Sequence, residues 1–130
     1  MVPVEQIKRG SFVYIKGRPC CVTKTALLSM GMHGVRKAIV SGEDVLTGKG
    51  LEDVVNSGSG VERADVVREE VALKGVAGHN RAELDGRPAA DFATPQILAT
   101  AQELLKQGGR ILATVTSVKD ERAVTGVRVA

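Results

Sequence analysis

The sequence predicts an all-β chain with one short helix, built as two small barrels in succession. Short β-prone runs are separated by Gly, Pro, Asn and Asp turn signals. A polar, glycine-rich stretch, Asn56-Ser57-Gly58-Ser59-Gly60, breaks the pattern near the middle. Only one segment, late in the chain, shows helical spacing of apolar residues.

Taken in order, the first-half runs are Ser11–Ile15, Cys20–Thr25, Val35–Val40, Val45–Leu46 and Leu51–Val55. Between them lie Lys16-Gly17-Arg18-Pro19, a long tip from Ala26 to Gly34, Ser41-Gly42-Glu43-Asp44, and Thr47-Gly48-Lys49-Gly50. Each break offers a residue suited to positive or fixed φ. The stretch 56–60 has nothing to bury and reads as a linker or hinge. A second β pattern opens at Val66 or Val67 and runs through Val71, Leu73 and Val76. Gly78-His79-Asn80 turns it, and Arg81 to Leu84 returns. Thr94 suits a helix N-cap and Pro95 the first helical position. Ile97, Leu98, Ala101, Leu104 and Leu105 then share a face opposite Gln102, Glu103 and Lys106, and Gly108-Gly109 stops the helix. Ile111 to Thr116 alternates, Lys119-Asp120-Glu121 turns, and Val124 to Val129 closes the chain as a final strand. Two barrels of roughly 60 residues each are marginal alone, so a shared interface is expected around Ser57–Asp65.

Composition bounds the chemistry. The 130 residues carry 18 Lys and Arg against 15 Asp and Glu, a formal net charge of +3. That permits a nucleic-acid partner without demanding one. No apolar run is long enough to span a membrane, and the first residues resemble neither a secretory signal nor a transit peptide. The cytoplasm is the expected compartment, with organellar residence after removal of a presequence left open. Cys20 and Cys21 are adjacent; strand neighbours face opposite ways, so a mutual disulfide is disfavoured, and their spacing suits no zinc site. A reducing compartment fits them. With no phosphate-cradling glycine loop, carboxylate pair or nucleophile elbow, neither catalysis nor a cofactor is expected. A Cys20 or Cys21 nucleophile paired with His33 is outweighed by the structural reading of both thiols. Phe12, Tyr14 and Phe92 are the only aromatics, too few for an autonomous base-stacking RNA module.

Two groups of residues around the tip point to binding. Arg18, Lys24, Arg36 and Lys37 are candidates for a phosphate-binding rim, against the plainer reading of a solvated basic face. His33, between Met32 and Gly34, goes with them as a polar loop residue. Leu27, Leu28, Met30 and Met32, with Gly31 and Gly34, form an apolar tip. Exposed together, such residues mark an interface; the competing reading folds the loop back onto its own barrel.

The stretch Gly10 to Lys37, GSFVYIKGRPCCVTKTALLSMGMHGVRK, resembles the hypusine-loop region of the translation initiation factor 5A family. In that family a glycine-flanked lysine followed by His-Gly stands twelve residues after the cysteine of a Gly-Arg-Pro-Cys turn. Counted from Cys20, that position is Met32, and Gly31, His33, Gly34 and Lys37 match around it. Leu46-Thr47-Gly48-Lys49-Gly50-Leu51-Glu52-Asp53 resembles another family segment, and Val61 to Arg68 resembles its domain junction. Lys74 to Phe92 matches poorly and is shortened. The resemblance implies an SH3-like barrel over 1–63, with a tip loop over 26–34, followed by an OB-fold over 64–130. Bacterial elongation factor P is a more distant relative with the same first two barrels.

In the family the cationic hypusine side chain reaches the peptidyl-transferase centre while the barrels rest on tRNA and ribosomal RNA. Met32 has no amine to accept the aminobutyl group, Val35 replaces a second histidine, and Ala26 to Met30 replaces a polar run. The resemblance therefore implies a non-hypusinated factor that binds the ribosome or another ribonucleoprotein through tRNA or rRNA backbone. A self-assembling structural protein, as in the similar Woronin-body protein, is the alternative, and would make the chain a homo-oligomer. An engineered lysine-to-methionine variant is a third reading, disfavoured by the accompanying changes at Leu27, Leu28 and Val35.

Overall fold

The computed structural model describes residues 2–30, 35–56, 59–78 and 80–130, which form two compact units, 1–65 and 66–130. The architecture is all-β with a single short helix: a curled half-barrel, then a closed five-stranded barrel.

The first unit begins with β1 (Val2–Pro3) and a 3-10 turn over Val4–Gln6. Then come β2 (Phe12–Ile15), β3 (Arg18–Met30), β4 (Val35–Asp44), β5 (Gly50–Asn56) and β6 (Gly60–Val61). Strands β2 to β5 form one antiparallel sheet in chain order, and β1 pairs with β6. Lys16 and Gly17 both have positive φ, at 51° and 79°, which matches the two-residue hairpin turn whose twist suits flanking strands. Val13, Ile15, Cys20, Val22, Ala38 and Val40 fill the concave side, and Val4, Ile7 and Val61 cover its open end.

Strand β3 changes phase at a register shift between Val22 and Lys24. Below the shift, Cys20 and Val22 face the core. Above it, Lys24 stands opposite outward-facing Ser41, and Leu27 opposite core-facing Ala38. An extra residue in one strand swaps the faces of everything beyond it.

Several expectations change here. The tip expected from Ala26 to Gly34 is strand as far as Met30, because Ala26 to Met30 pair in register with Ile39 to Val35. The break expected at Ser41–Asp44 is instead the end of β4, zipped to β5 through Ser41, Gly42 and Glu43. Val45–Leu46, expected as a strand, belongs to the turn that follows β4. The stretch read as an inter-barrel linker lies within the first unit: the Ser59 amide donates to the Asn56 carbonyl, and the Val4 amide donates to the Ser59 carbonyl. Ser57 and Gly58 of that stretch lie outside the described residues.

The second unit comprises β7 (Val67–Ala77), β8 (Arg81–Leu84), β9 (Arg87–Phe92), α1 (Pro95–Lys106), β10 (Ile111–Val118) and β11 (Glu121–Val129). The barrel order is β10-β11-β9-β8-β7, closed by the β7–β10 pair. The β11–β9 contact is parallel and the other ladders are antiparallel. A helix between the third and fourth strands of such a barrel is OB-fold topology. Thr94 caps α1, its hydroxyl oxygen accepting from the Ile97 amide at 3.3 Å, and Pro95 opens it. Ala101 is fully buried, and Ile97, Leu98, Leu104 and Leu105 pack on the barrel core of Leu73, Phe92, Ile111 and Val124. Gly108 follows with φ of 77° and ends the helix. His79, expected in the β7–β8 turn, lies outside the described residues. Strand β9 had no sequence signal: its run Arg-Pro-Ala-Ala-Asp-Phe lacks β-branched residues.

Gly42 tests the packing of the first unit. A Cβ there would lie 2.7 Å from the Cys21 carbonyl oxygen and 2.9 Å from Ile15 Cδ1. Gly42→Ala is expected to destabilise the protein by about 1–3 kcal/mol through overpacking. Urea unfolding followed by circular dichroism reads the shift; an unchanged midpoint would show that β3 can move aside.

Candidate functional site

The β3–β4 hairpin carries the residues singled out for binding and sorts them differently from their order in sequence. Directly opposite residues in an antiparallel pair share a face. Lys24, Ser41 and Glu52 therefore form one row across β3, β4 and β5 on the convex face, and Ala26, Ile39 and Val54 form the next. Lys37 follows on the same face, opposite Asn56. Four residues of strand separate Lys37 from Ser41, about 13 Å at 3.3 Å per residue. Lys24 and Lys37 are thus brought onto one surface, Lys24 exposed and Lys37 half-buried.

Two features of this face were missed from sequence. Glu52 accepts a hydrogen bond from the Ser41 hydroxyl at 3.0 Å, so an acid sits in the same row as Lys24. Val54 is 51% exposed, which leaves the apolar row open to solvent. The alternation of Leu51, Asp53 and Val55 against Glu52 and Val54 was the available signal, hidden because both faces carry an aliphatic residue.

Arg18 does not join the rim. It occupies the opposite end of β3, eleven residues from Ser29, the partner of Arg36, or about 36 Å along the strand. Its guanidinium is committed instead: Nε donates to Asp44 Oδ2 at 2.8 Å. Asp44 is only 4% exposed, and its other oxygen accepts from the amides of Leu46 at 2.8 Å and Thr47 at 3.3 Å. Burial pushes the Asp44 pKa up, but the Arg18 hydrogen bond, the two amides and the Arg18 charge outweigh it, holding the carboxyl below its ordinary value. Arg18 therefore stands apart from Lys24 and Lys37 and forms an ion pair with Asp44.

Leu27 is 59% exposed, so at this residue the apolar tip does not fold back onto its own barrel. Leu28, Met30 and Arg36 are placed by backbone pairing with Lys37, Val35 and Ser29. Gly31, Met32, His33 and Gly34, the remaining expected site residues, lie outside the described residues. Cys20 is buried and Cys21 half-buried, both as free thiols. Burial, and then the Asp44 charge, push the Cys20 thiol up, the opposite of what a nucleophile needs. Among the described residues no cluster of His, Cys, Asp and Glu is arranged to hold a metal ion, and no helix is long and apolar enough to cross a membrane.

The model of the translation initiation factor 5A-like N-terminal domain matches residues 2–59. Eukaryotic translation initiation factor 5A-2 of Saccharomyces cerevisiae is 30% identical over 121 residues, covering 90% of this chain and 77% of its own length. The chain belongs to the translation initiation factor 5A family. Factor 5A of Dictyostelium discoideum is 29% identical over 127 residues, covering 95% of this chain and 80% of that one. Among solved structures, a factor 5A family protein from Naegleria fowleri superposes with a TM-score of 0.79 at 22% identity, covering 98% of this chain and 96% of that one. Factor 5A from Methanococcus jannaschii gives 0.71 at 20% identity, covering 98% and 92%. The factor 5A fold thus extends over both units, and the family is one of translation factors rather than enzymes.

The Arg18–Asp44 pair has a pH signature. The folded pKa of Asp44 lies below its unfolded value, so the unfolded chain binds more protons in acid. The pair's contribution is complete above the unfolded value and is lost as pH falls through the depressed folded value. Arg18→Met is expected to cost about 1.5–3 kcal/mol at neutral pH, the range for a hydrogen bond to a charged group. That deficit should shrink on acidification, when Asp44 is protonated in both proteins. Urea midpoints at neutral and acidic pH check this; a gap that ignores pH would remove Asp44 from the explanation.

Proposed function

We propose that this chain is a non-hypusinated factor 5A relative that binds the ribosome or another ribonucleoprotein, docking on tRNA or rRNA backbone through the β3–β4 hairpin. The observation that carries the reading is the placement of Lys24 and Lys37 on one face of a long projecting strand pair, with Leu27 exposed on the opposite face. Two cations on a rigid sheet attract phosphates without reading base identity, and the attraction weakens with salt. Arg36, opposite Ser29 on the other face of the strand pair, and His33 complete the proposed basic group. Leu27, Leu28, Met30 and Met32 meet protein or an apolar RNA pocket where the family places its modified lysine. Methionine and leucine side chains suit an adaptable contact surface.

The SH3-like unit, 1–63, does the docking in this reading, and the OB-fold unit, 64–130, adds backbone contacts. Without an amine at Met32 the chain occupies or blocks a site rather than assisting transfer chemistry. A cytoplasmic setting goes with this role.

Co-sedimentation with ribosomes across a salt series tests the docking. The double variant Lys24→Glu, Lys37→Glu is expected to flatten the log–log salt slope by about 1.4–1.8, taking about 0.7–0.9 per lost phosphate contact. An unchanged slope would move the RNA contact elsewhere. Intact mass after co-expression with the hypusine-forming enzymes is expected to equal the unmodified value; a hypusine-sized increment would show that another lysine, such as Lys24 or Lys37, occupies the modified slot.

A further inference from the structure

The second unit holds a half-open cavity of about 260 Å³ between the start of β8 and the junction of β9 with α1, lined by Asn80, Phe92, Ala93, Thr94, Pro95 and Leu98. Asn80 is held there by two bonds to one residue. The Phe92 amide donates to the Asn80 backbone carbonyl at 2.9 Å, and Asn80 Nδ2 donates to the Phe92 carbonyl at 3.0 Å. A carbonyl can only accept, so the second bond also fixes which way round the carboxamide lies. A carboxamide has two N–H donors and an acceptor oxygen. One N–H is used, and among the described residues the other N–H and Oδ1 take no protein partner. Thr94 adds a hydroxyl whose oxygen already accepts from the Ile97 amide, which leaves its proton to donate. Pro95 and Leu98 supply apolar wall beside these polar groups. The fold itself uses neither the spare N–H nor Oδ1 of Asn80.

We propose that this cavity binds one adenine base, with the Asn80 carboxamide reading its edge. Adenine presents an acceptor, N7, beside a donor, the N6 amine, and an asparagine offers the complementary N–H and oxygen side by side. A base is apolar on its flat faces and polar at its edge, which suits Pro95 and Leu98 next to Asn80 and Thr94. The cavity falls below the about 300–1,000 Å³ typical of sites for drug-sized ligands, so it takes a base and leaves sugar and phosphate outside. Phe92, the aromatic residue of the lining, is only 2% exposed. The base is therefore held by its edge and by aliphatic contacts rather than by stacking, and binding of a single nucleoside is weak. A free adenine nucleotide and an unstacked adenosine of single-stranded RNA present the same edge. The site lies within the second unit and rests on no part of the Lys24 and Lys37 docking reading.

Heteronuclear NMR of the full chain after nuclease treatment should show saturable shifts on adding adenosine, at the Asn80 side-chain amide and at the backbone amides of Phe92, Thr94 and Leu98. Purine riboside lacks the N6 donor and 7-deazaadenosine lacks the N7 acceptor, so each is expected to bind more weakly than adenosine. Asn80→Ala removes both bonds and is expected to weaken adenosine binding by at least about fivefold, with its melting temperature reporting whether the fold is kept. The analogue series uses the unsubstituted chain and decides the question even if that variant unfolds. Tighter binding of adenosine monophosphate than of a short oligo(A) assigns the free nucleotide; tighter binding of oligo(A) assigns RNA. No saturable shift with either adenosine or oligo(A) overturns the proposal. So do shifts confined to other residues, analogues that bind as tightly as adenosine, uridine that does the same, or full binding by a folded Asn80→Ala. The Lys24→Glu, Lys37→Glu variant is expected to keep its adenosine shifts, so loss of RNA docking and loss of base binding are read separately.

Discussion

The buried carboxylate of Asp44 holds the first unit together. One oxygen takes the Arg18 guanidinium and the other takes the amides of Leu46 and Thr47. Its own backbone closes the same turn, the Gly48 amide donating to the Asp44 carbonyl and the Asp44 amide donating to the Lys49 carbonyl. The Val45 amide reaches the Pro19 carbonyl alongside. One residue thereby joins the start of β3, the end of β4 and the turn into β5. A buried charge left without these partners would be strongly destabilising, so the partners and the turn are obliged to form together. The hairpin can project from the barrel because its base is pinned at this point.

The helix and the Lys16-Gly17 hairpin were legible in the sequence because short-range rules dictate them. A capping threonine, a proline in the first turn and a terminal glycine need no distant partner, and neither does a two-residue turn with positive φ. The upper half of β3 was not legible in this way. Thr25-Ala26-Leu27-Leu28-Ser29-Met30 has no alternation to mark a half-buried strand, and only pairing with β4 makes it one. Val45 and Leu46 misled for the converse reason: both are buried aliphatic residues, but the hydrogen bonds to Asp44 bend them into a turn. Strand β9 was hidden by small residues that barrel closure, rather than propensity, holds extended.

The candidate site was legible in its ingredients and not in its grouping. Lys24 and Lys37 are thirteen positions apart in sequence, and the hairpin folds them onto one face. Arg18 is closer to Lys24 in sequence, but extended chain gains about 3.3 Å per residue and carries it to the far end of the sheet. Proximity in sequence misleads most in a strand, where six residues span about 20 Å. Family similarity located the hairpin as a whole, while pairing register decided which of its residues share a face.

The phase change between Val22 and Lys24 separates two kinds of constraint on one strand. Below it, side chains answer to the core, where Cys20, Val22 and the close approach of Gly42 leave little room. Above it, Lys24, Thr25 and Leu27 are exposed, and the extra residue assigns Lys24 to one surface and Leu27 to the other. Gaining or losing a single residue at that point would exchange the faces of the β3 residues beyond it and leave those of β4 where they are. Evolution of the arm can therefore run independently of evolution of its support, so a lineage can change what the arm touches in one step while inheriting the same fold.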